Sequence, residues 1–285
     1  MHQQDILMLL EENVIEHVVQ GFHIPPKPEI LNRVQTLAQT PNIDPAEVGQ
    51  CIATDVGLSA SILKTLNSPF YGMARTITDV TQATILLGTN SVLNLVAAIK
   101  IREAMQGDSC ISLERFWDSA SDISNAMTFI GKKAKLTIPP ENLHIVGLFH
   151  DCGIPAMAMK YSNYVDTLKA ADSSDERSII HIEEELYRTN HAVIGYYIAS
   201  SWGLPKGLCN VILQHHDVDA LESKVTQEFR GVYSCLKMAC NIIEKHRRFR
   251  NSRDWPIVEE SVLSSLGMTS LDYQDFEEDI EEMFA

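Results

Sequence analysis

Apolar residues recur at intervals of three and four along almost the whole chain, the spacing that brings side chains onto one face of an α-helix. Asp5 to Val19 carries Ile6, Leu9, Leu10, Val14, Ile15 and Val18 in this register, and Gly21 with Pro25-Pro26 ends it. After Pro28-Glu29 the pattern resumes at Ile30, Leu31, Val34, Leu37 and Ala38, and Thr40-Pro41-Asn42 turns the chain. Asp44 before Pro45 is a cap followed by proline at the first helical position, which predicts a helix to about Thr54. Gly57-Leu58 opens a further helix through Ile62, Leu63 and Leu66. Asn67-Ser68-Pro69-Phe70-Tyr71-Gly72 then closes it with a turn that the two aromatic rings anchor. Asp79 caps Val80 to Leu87, Gly88 stops it, and Val92 to Ala104 follows.

The polar stretch Gln106-Gly107-Asp108-Ser109 interrupts the pattern and is the best candidate for a boundary. Beyond it the periodicity predicts helices over Leu113 to Leu136, Pro140 to His150, Ile154 to Ala170, Glu176 to Tyr187, Asn190 to Trp202 and Pro205 to His216. A long helix from Gln227 to Lys245 and two amphipathic ones, Pro256 to Leu266 and Leu271 to Phe284, complete the chain. No segment alternates as a strand would, so the fold class is all-α, with two packed helical subdomains. The expected division is 1–106, 107–250 and a C-terminal helical tail over 251–285. The two helices joined at Gly88 have the outline of a helix-turn-helix, but Ser91 to Ile99 is too apolar to face a nucleic-acid groove and belongs in a core.

Charge sharpens this picture. Twenty-three Lys and Arg against thirty-eight Asp and Glu give −15, which argues against a polyanion-binding surface. From Asp254 onward there are ten acidic residues and no Lys or Arg. That tail reads either as a solvated helical face or as a docking surface for a basic partner. The run His246-Arg247-Arg248-Arg250 suits a helix C-terminus better than nucleic-acid contact. Six cysteines without Cys-x-x-Cys spacing read as free thiols in a reducing compartment, and no stretch has the length and apolarity to cross a bilayer. The expectation is a cytoplasmic protein.

The candidate chemistry lies in the second half. An apolar run delivers His150-Asp151 into a helical core, followed by Gly153; His191 opens a later helix, and His215-His216-Asp217 closes the next. Imidazole and carboxylate groups from three helices suit one or two divalent cations, with a water between two ions as nucleophile for phosphate esters. Without a cation, the same groups suit a helix-start histidine and a C-terminal dipole partner.

The order of several stretches is similar to the HDOD domain, a bacterial signalling relative of the HD and HD-GYP phosphohydrolases. They are Pro25-Pro26-Lys27-Pro28, Ile52 to Leu58, Leu66 to Gly72, Ala83 to Gly88, Phe116-Trp117, Gly147 to Gly153, His191 to Gly195, Trp202 to Pro205 and Ile212 to Asp217. The resemblance covers about Ile24 to Glu244. It implies an HD-like second subdomain in a non-catalytic regulatory module that binds a partner protein or a small effector. Active HD enzymes also use an earlier histidine and a final aspartate, and here Ser119 and Cys240 stand in those places. The alternative is a metal-dependent phosphohydrolase acting on a nucleotide or cyclic dinucleotide, although the Gly-Tyr-Pro element of HD-GYP enzymes is absent after His216. His150, Asp151, His191, His215 and His216 would then hold a single divalent ion or form a buried hydrogen-bonded network. Cys240 would be a thiolate ligand or a structural thiol.

Overall fold

The computed structural model describes residues 22, 26–71, 73–174 and 177–284. Among these there is no strand, and the helix expected over Asp5 to Val19 lies outside the described residues. In chain order the first helices are α1 (Glu29–Ala38), α2 (Pro45–Ala53), α3 (Val56–Leu66), α4 (Val80–Leu87) and α5 (Thr89–Ala104). They are followed by α6 (Leu113–Lys133), α7 (Pro140–Phe149), α8 (Gly153–Lys160), α9 (Tyr164–Ser173) and α10 (Ile179–Tyr187). The last are α11 (His191–Ser201), α12 (Lys206–Gln214), α13 (Gln227–Arg248), α14 (Trp255–Leu266) and α15 (Ser270–Phe284).

Helix starts follow local chemistry. Asp44, Asp55 and Asp79 accept the backbone N–H groups of Ala46, Leu58 and Gln82 at 2.8–2.9 Å, each satisfying one of the donors a helix start leaves open. Val92, Leu95, Val96 and Ile101 of α5 are buried, so that helix serves the core. One continuous apolar core joins residues from Phe22 to Ile280.

Two helices differ from the periodic reading. The segment expected to run from Leu113 to Leu136 ends at Lys133, and Lys135 turns the chain with φ 54°. The single helix expected over Ile154 to Ala170 is two, because Tyr161 takes an extended conformation that ends α8. The break lets the Tyr161 ring stack on Tyr187 at 4.3 Å while Tyr164 turns fully inward. Ser162-Asn163, two good turn formers, were the local signal for it.

The acidic tail folds back onto the protein. Trp255 stacks on Tyr273 at 5.0 Å, Phe276 meets the edge of Phe129 at 6.1 Å, and Ile280 is fully buried. Glu277 pairs with Lys245, Asp279 with Lys133, and Asp254 with Lys237 at 2.5 Å. An exposed pair such as Lys133–Asp279 is worth less than about 1 kcal/mol, so apolar burial holds the tail and the pairs set its register. The run from Arg247 to Arg250 is likewise matched internally, by Asp122, Asp172 and Glu244.

If α15 belongs to the cooperative core, Ile280→Ala should lower unfolding free energy in urea by about 2–4 kcal/mol. A loss below about 0.5 kcal/mol, the size of an ordinary surface substitution, would show that the tail unfolds independently.

Candidate metal centre

The site forms where three helix ends meet. His150 caps the C-terminus of α7 and Asp151 follows in the turn, His191 is the first residue of α11, and His215 caps α12 with His216 next to it. Two glycines set how closely these ends approach. A Cβ on Gly153 would sit 1.9 Å from the His191 carbonyl oxygen, and one on Gly147 would sit 2.5 Å from the Ser124 Cα. Any larger residue at either place would push α7 or α8 away from its neighbours.

Asp151 is the centre of the cluster. Its Oδ1 lies 3.1 Å from His215 Nε2 and 3.4 Å from His191 Nε2, while its Oδ2 lies 3.2 Å from His150 Nε2. His191 Nε2 and His216 Nε2 are 3.1 Å apart. One ligand atom from each of Asp151, His191, His215 and His216 falls within 4.8 Å of all the others, so these four can hold a metal ion. His150 meets the other carboxylate oxygen and is not part of that group. His191 is fully buried, whereas the side chains of Asp151 and His216 are each 29% exposed, which leaves one side of the cluster open to solvent.

Each imidazole is oriented through its other nitrogen. His150 Nδ1 donates to the Gly147 carbonyl at 2.9 Å and His215 Nδ1 to the Ile212 carbonyl at 2.7 Å, both three residues back on the same helix. His191 Nδ1 donates to Glu183 at 2.8 Å, and the same carboxylate oxygen accepts the His191 backbone N–H at 3.0 Å. Glu183 is fully buried on α10 and also accepts the Tyr164 hydroxyl. The periodic reading passes over Glu183, because it sits in Glu183-Glu184-Glu185 and looks like part of a solvated face. Its one signal is its place a turn before Tyr187 and beside buried Ile182.

This orientation has an electrostatic consequence. A carbonyl only accepts, so the hydrogen of a neutral His215 belongs on Nδ1, and its Nε2 lone pair then faces Asp151 Oδ1 at 3.1 Å. Two acceptors in contact repel, and a positive charge between them removes the conflict. Burial and the neighbouring imidazoles work against supplying that charge by protonation. Burial pushes His215 down to about 4, despite the carboxylate beside it. His216 is held well below the usual histidine range by burial and then by His215 and His191. Burial opposes the charge on His191 too, but Glu183 and Asp151 outweigh it and push it up to about 10. His150 is likewise raised well above its ordinary value against burial, by Asp151 and Cys240. Asp151 itself resists burial through His150 and the surrounding imidazole bonds, and stays well below the usual carboxylate range.

Of Ser119 and Cys240, Cys240 touches the site. The Cys240 sulfur lies 3.9 Å from His150 Nε2 and is half-buried, unlike the buried thiols of Cys152, Cys209 and Cys235. Ser119 is half-buried, and no hydrogen bond among the described residues ties it to the cluster. All six cysteines are free. No helix among the described residues is long and apolar enough to cross a membrane.

The model of the HDOD domain family matches residues 24–218. A 24% identical relative, an uncharacterized protein of Treponema pallidum, aligns over 218 residues; the match covers 76% of this chain but only 41% of the relative. Among solved structures, a putative phosphohydrolase from Shewanella amazonensis has a TM-score of 0.69 at 19% identity, over 96% of this chain and 95% of that one. An HDOD domain protein from Geobacter sulfurreducens has a TM-score of 0.63 at 19% identity, over 94% and 97%. A putative metal-dependent phosphohydrolase from Shewanella amazonensis has a TM-score of 0.60 at 18% identity, over 99% and 97%. These likenesses establish the all-α fold.

The His191–Glu183 contact predicts a pH signature in chelator-treated protein. The folded-state value of His191 is above its unfolded one, so its contribution to stability is complete below about pH 6.5 and is lost as pH rises toward about 10. The melting temperature should therefore fall between pH 7 and 10 by at least about 3 °C more than that of His191→Gln. Parallel pH curves would show that Glu183 and Asp151 do not hold that proton.

Proposed function

The chain belongs to the HDOD domain family, and on that premise we propose that it is a signal-transduction module that holds one divalent cation and works by binding rather than by turnover. The observation that carries the reading is the donor set of Asp151, His191, His215 and His216, converging from three helix ends within 4.8 Å. Around a tetrahedral ion with bonds of about 2.0–2.1 Å, neighbouring ligand atoms sit about 3.3 Å apart. Three of the six edges of the cluster, 3.1 and 3.4 Å to Asp151 and 3.1 Å between His191 and His216, match that spacing, and the others lie within 4.8 Å. Four protein ligands close such a shell, as in structural sites, whereas catalytic sites keep a position for water or substrate. The cation would stabilise the meeting of α7, α11 and α12 and so fix the surface offered to a partner protein or small effector.

The C-terminal helices provide one such surface. Glu259 and Glu260 flank a groove lined by Ile257, Leu263 and Met268, and neither carboxylate is in an ion pair among the described residues. Its charge suits a basic partner and disfavours nucleic acid.

A second reading, a phosphohydrolase acting on a nucleotide or cyclic dinucleotide, is favoured by the half-open side of the cluster at Asp151 and His216. A bound cation there supplies Lewis-acid polarisation of a phosphoryl oxygen, and Asp151 and the imidazoles would orient it.

Elemental mass spectrometry of untagged protein, purified without chelator, should find at least one divalent ion per chain, and His215→Ala should bind at least about tenfold more weakly. The protein should hydrolyse no member of a phosphomonoester and phosphodiester panel with Mn²⁺, Mg²⁺, Fe²⁺ or Ni²⁺. Turnover that Asp151→Asn abolishes would overturn the binding reading in favour of the enzyme. A metal-free protein would remove the cation from both.

A further inference from the structure

His216 differs from the other imidazoles of the site in what its second nitrogen meets. The Nδ1 atoms of His150, His191 and His215 are engaged by Gly147, Glu183 and Ile212, all within the stretch that the family model covers. His216 turns Nε2 toward His191 at 3.1 Å, and its Nδ1 faces Asp254 Oδ2 at 3.9 Å. Asp254 lies beyond residues 24–218, immediately before α14. Its place is set from α13 and α15. Buried Lys237 of α13 holds Oδ2 at 2.5 Å, and the Ser252 N–H donates to Asn241 Oδ1 at 2.7 Å. Asn241 in turn donates to the Tyr273 hydroxyl of α15 at 2.8 Å, and Tyr273 stacks on Trp255. The docked C-terminal helices therefore position the carboxylate that His216 faces.

We propose that Asp254 is the positioning residue for His216, so that cation binding at the cluster and docking of α14 and α15 strengthen each other. The proposal rests on the reading of Asp151, His191, His215 and His216 as a cation site. A neutral His216 that offers its Nε2 lone pair to a cation carries its hydrogen on Nδ1, the side that Asp254 faces. A carboxylate there favours that tautomer and raises the basicity of the ligating nitrogen, as the outer partners of metal-bound histidines do. The separation of 3.9 Å is longer than a hydrogen bond, but the negative charge acts across it, and a small rotation of either side chain closes it. Lys237 opposes the effect, because its ammonium brings a positive charge to the same edge of the cluster. Linkage makes the effect mutual: whatever Asp254 adds to cation affinity, the cation adds to the stability of the docked helices. Ile257, Glu259 and Glu260 of the C-terminal groove lie on α14, so cation occupancy is felt at that surface.

The test begins with the Zn²⁺ affinity of reduced, chelator-stripped protein, read by competition with a chromophoric chelator. Asp254→Asn should bind about tenfold more weakly, and Asp254→Glu should recover most of that loss. Lys237→Met breaks the same pair but removes a positive charge, so it should bind at least as tightly as the unsubstituted protein. Unchanged affinity in Asp254→Asn, or equal weakening by Asp254→Asn and Lys237→Met, overturns Asp254 as the positioning residue. Hydrogen exchange reads the reverse direction. Saturating Zn²⁺ should slow exchange of the Val258 amide, which donates to the Asp254 carbonyl at 3.1 Å, by about the same factor of ten, and Asp254→Asn should lose that response. Zn²⁺ that binds without slowing this exchange overturns the linkage and leaves the cation site standing. Protein that binds no Zn²⁺ overturns both. The exchange of the unsubstituted protein decides the linkage even where a variant folds poorly.

Discussion

The contact on which the site depends is one between backbones. Gly153 at the start of α8 lies so close to the His191 carbonyl that even a methyl group would overlap it. That approach brings the turn carrying His150 and Asp151 against the first turn of α11. Gly147 permits the same on the opposite side, where α7 presses on Ser124 of α6. Packing of this density leaves little tolerance, and it is why Asp151 can touch imidazoles from α7, α11 and α12 at 3.1–3.4 Å.

Burying so many polar groups is unfavourable unless each has a partner, and most of the surrounding interactions supply one. The Gly147 and Ile212 carbonyls take the Nδ1 hydrogens of His150 and His215, using helix C-terminal acceptors that have no donor within the helix. Glu183 takes two N–H groups of His191 and the Tyr164 hydroxyl. The break between α8 and α9 belongs to the same network, since it turns Tyr164 inward to reach Glu183. The Nε2 lone pair of His215 is left facing Asp151 Oδ1, a pair of acceptors suited to a cation.

The net charge has a structural outlet. Carboxylates of the C-terminal stretch meet Lys133, Lys237 and Lys245, and the apolar side of α15 covers Phe129. Lys237 and Asp254 also reach the edge of the site, where Asp254 lies 3.9 Å from His216 Nδ1. The tail therefore begins beside the cluster and completes the shell around α13, while Glu260 is exposed.

The sequence by itself determined the helices, because a 3.6-residue period, capping aspartates and proline or glycine stops act over a few residues and need no partner. It also pointed to His150, Asp151, His191, His215 and His216, since charged and imidazole groups inside apolar runs stand out without coordinates. Tertiary structure alone decided how they divide. It gathered His191, His215 and His216 around Asp151, placed His150 beside Cys240, and recruited Glu183 from a stretch that looks solvated. Those outcomes depend on distances between helices far apart in sequence, which are fixed by glycine contacts and by the hydrogen-bond needs of buried groups.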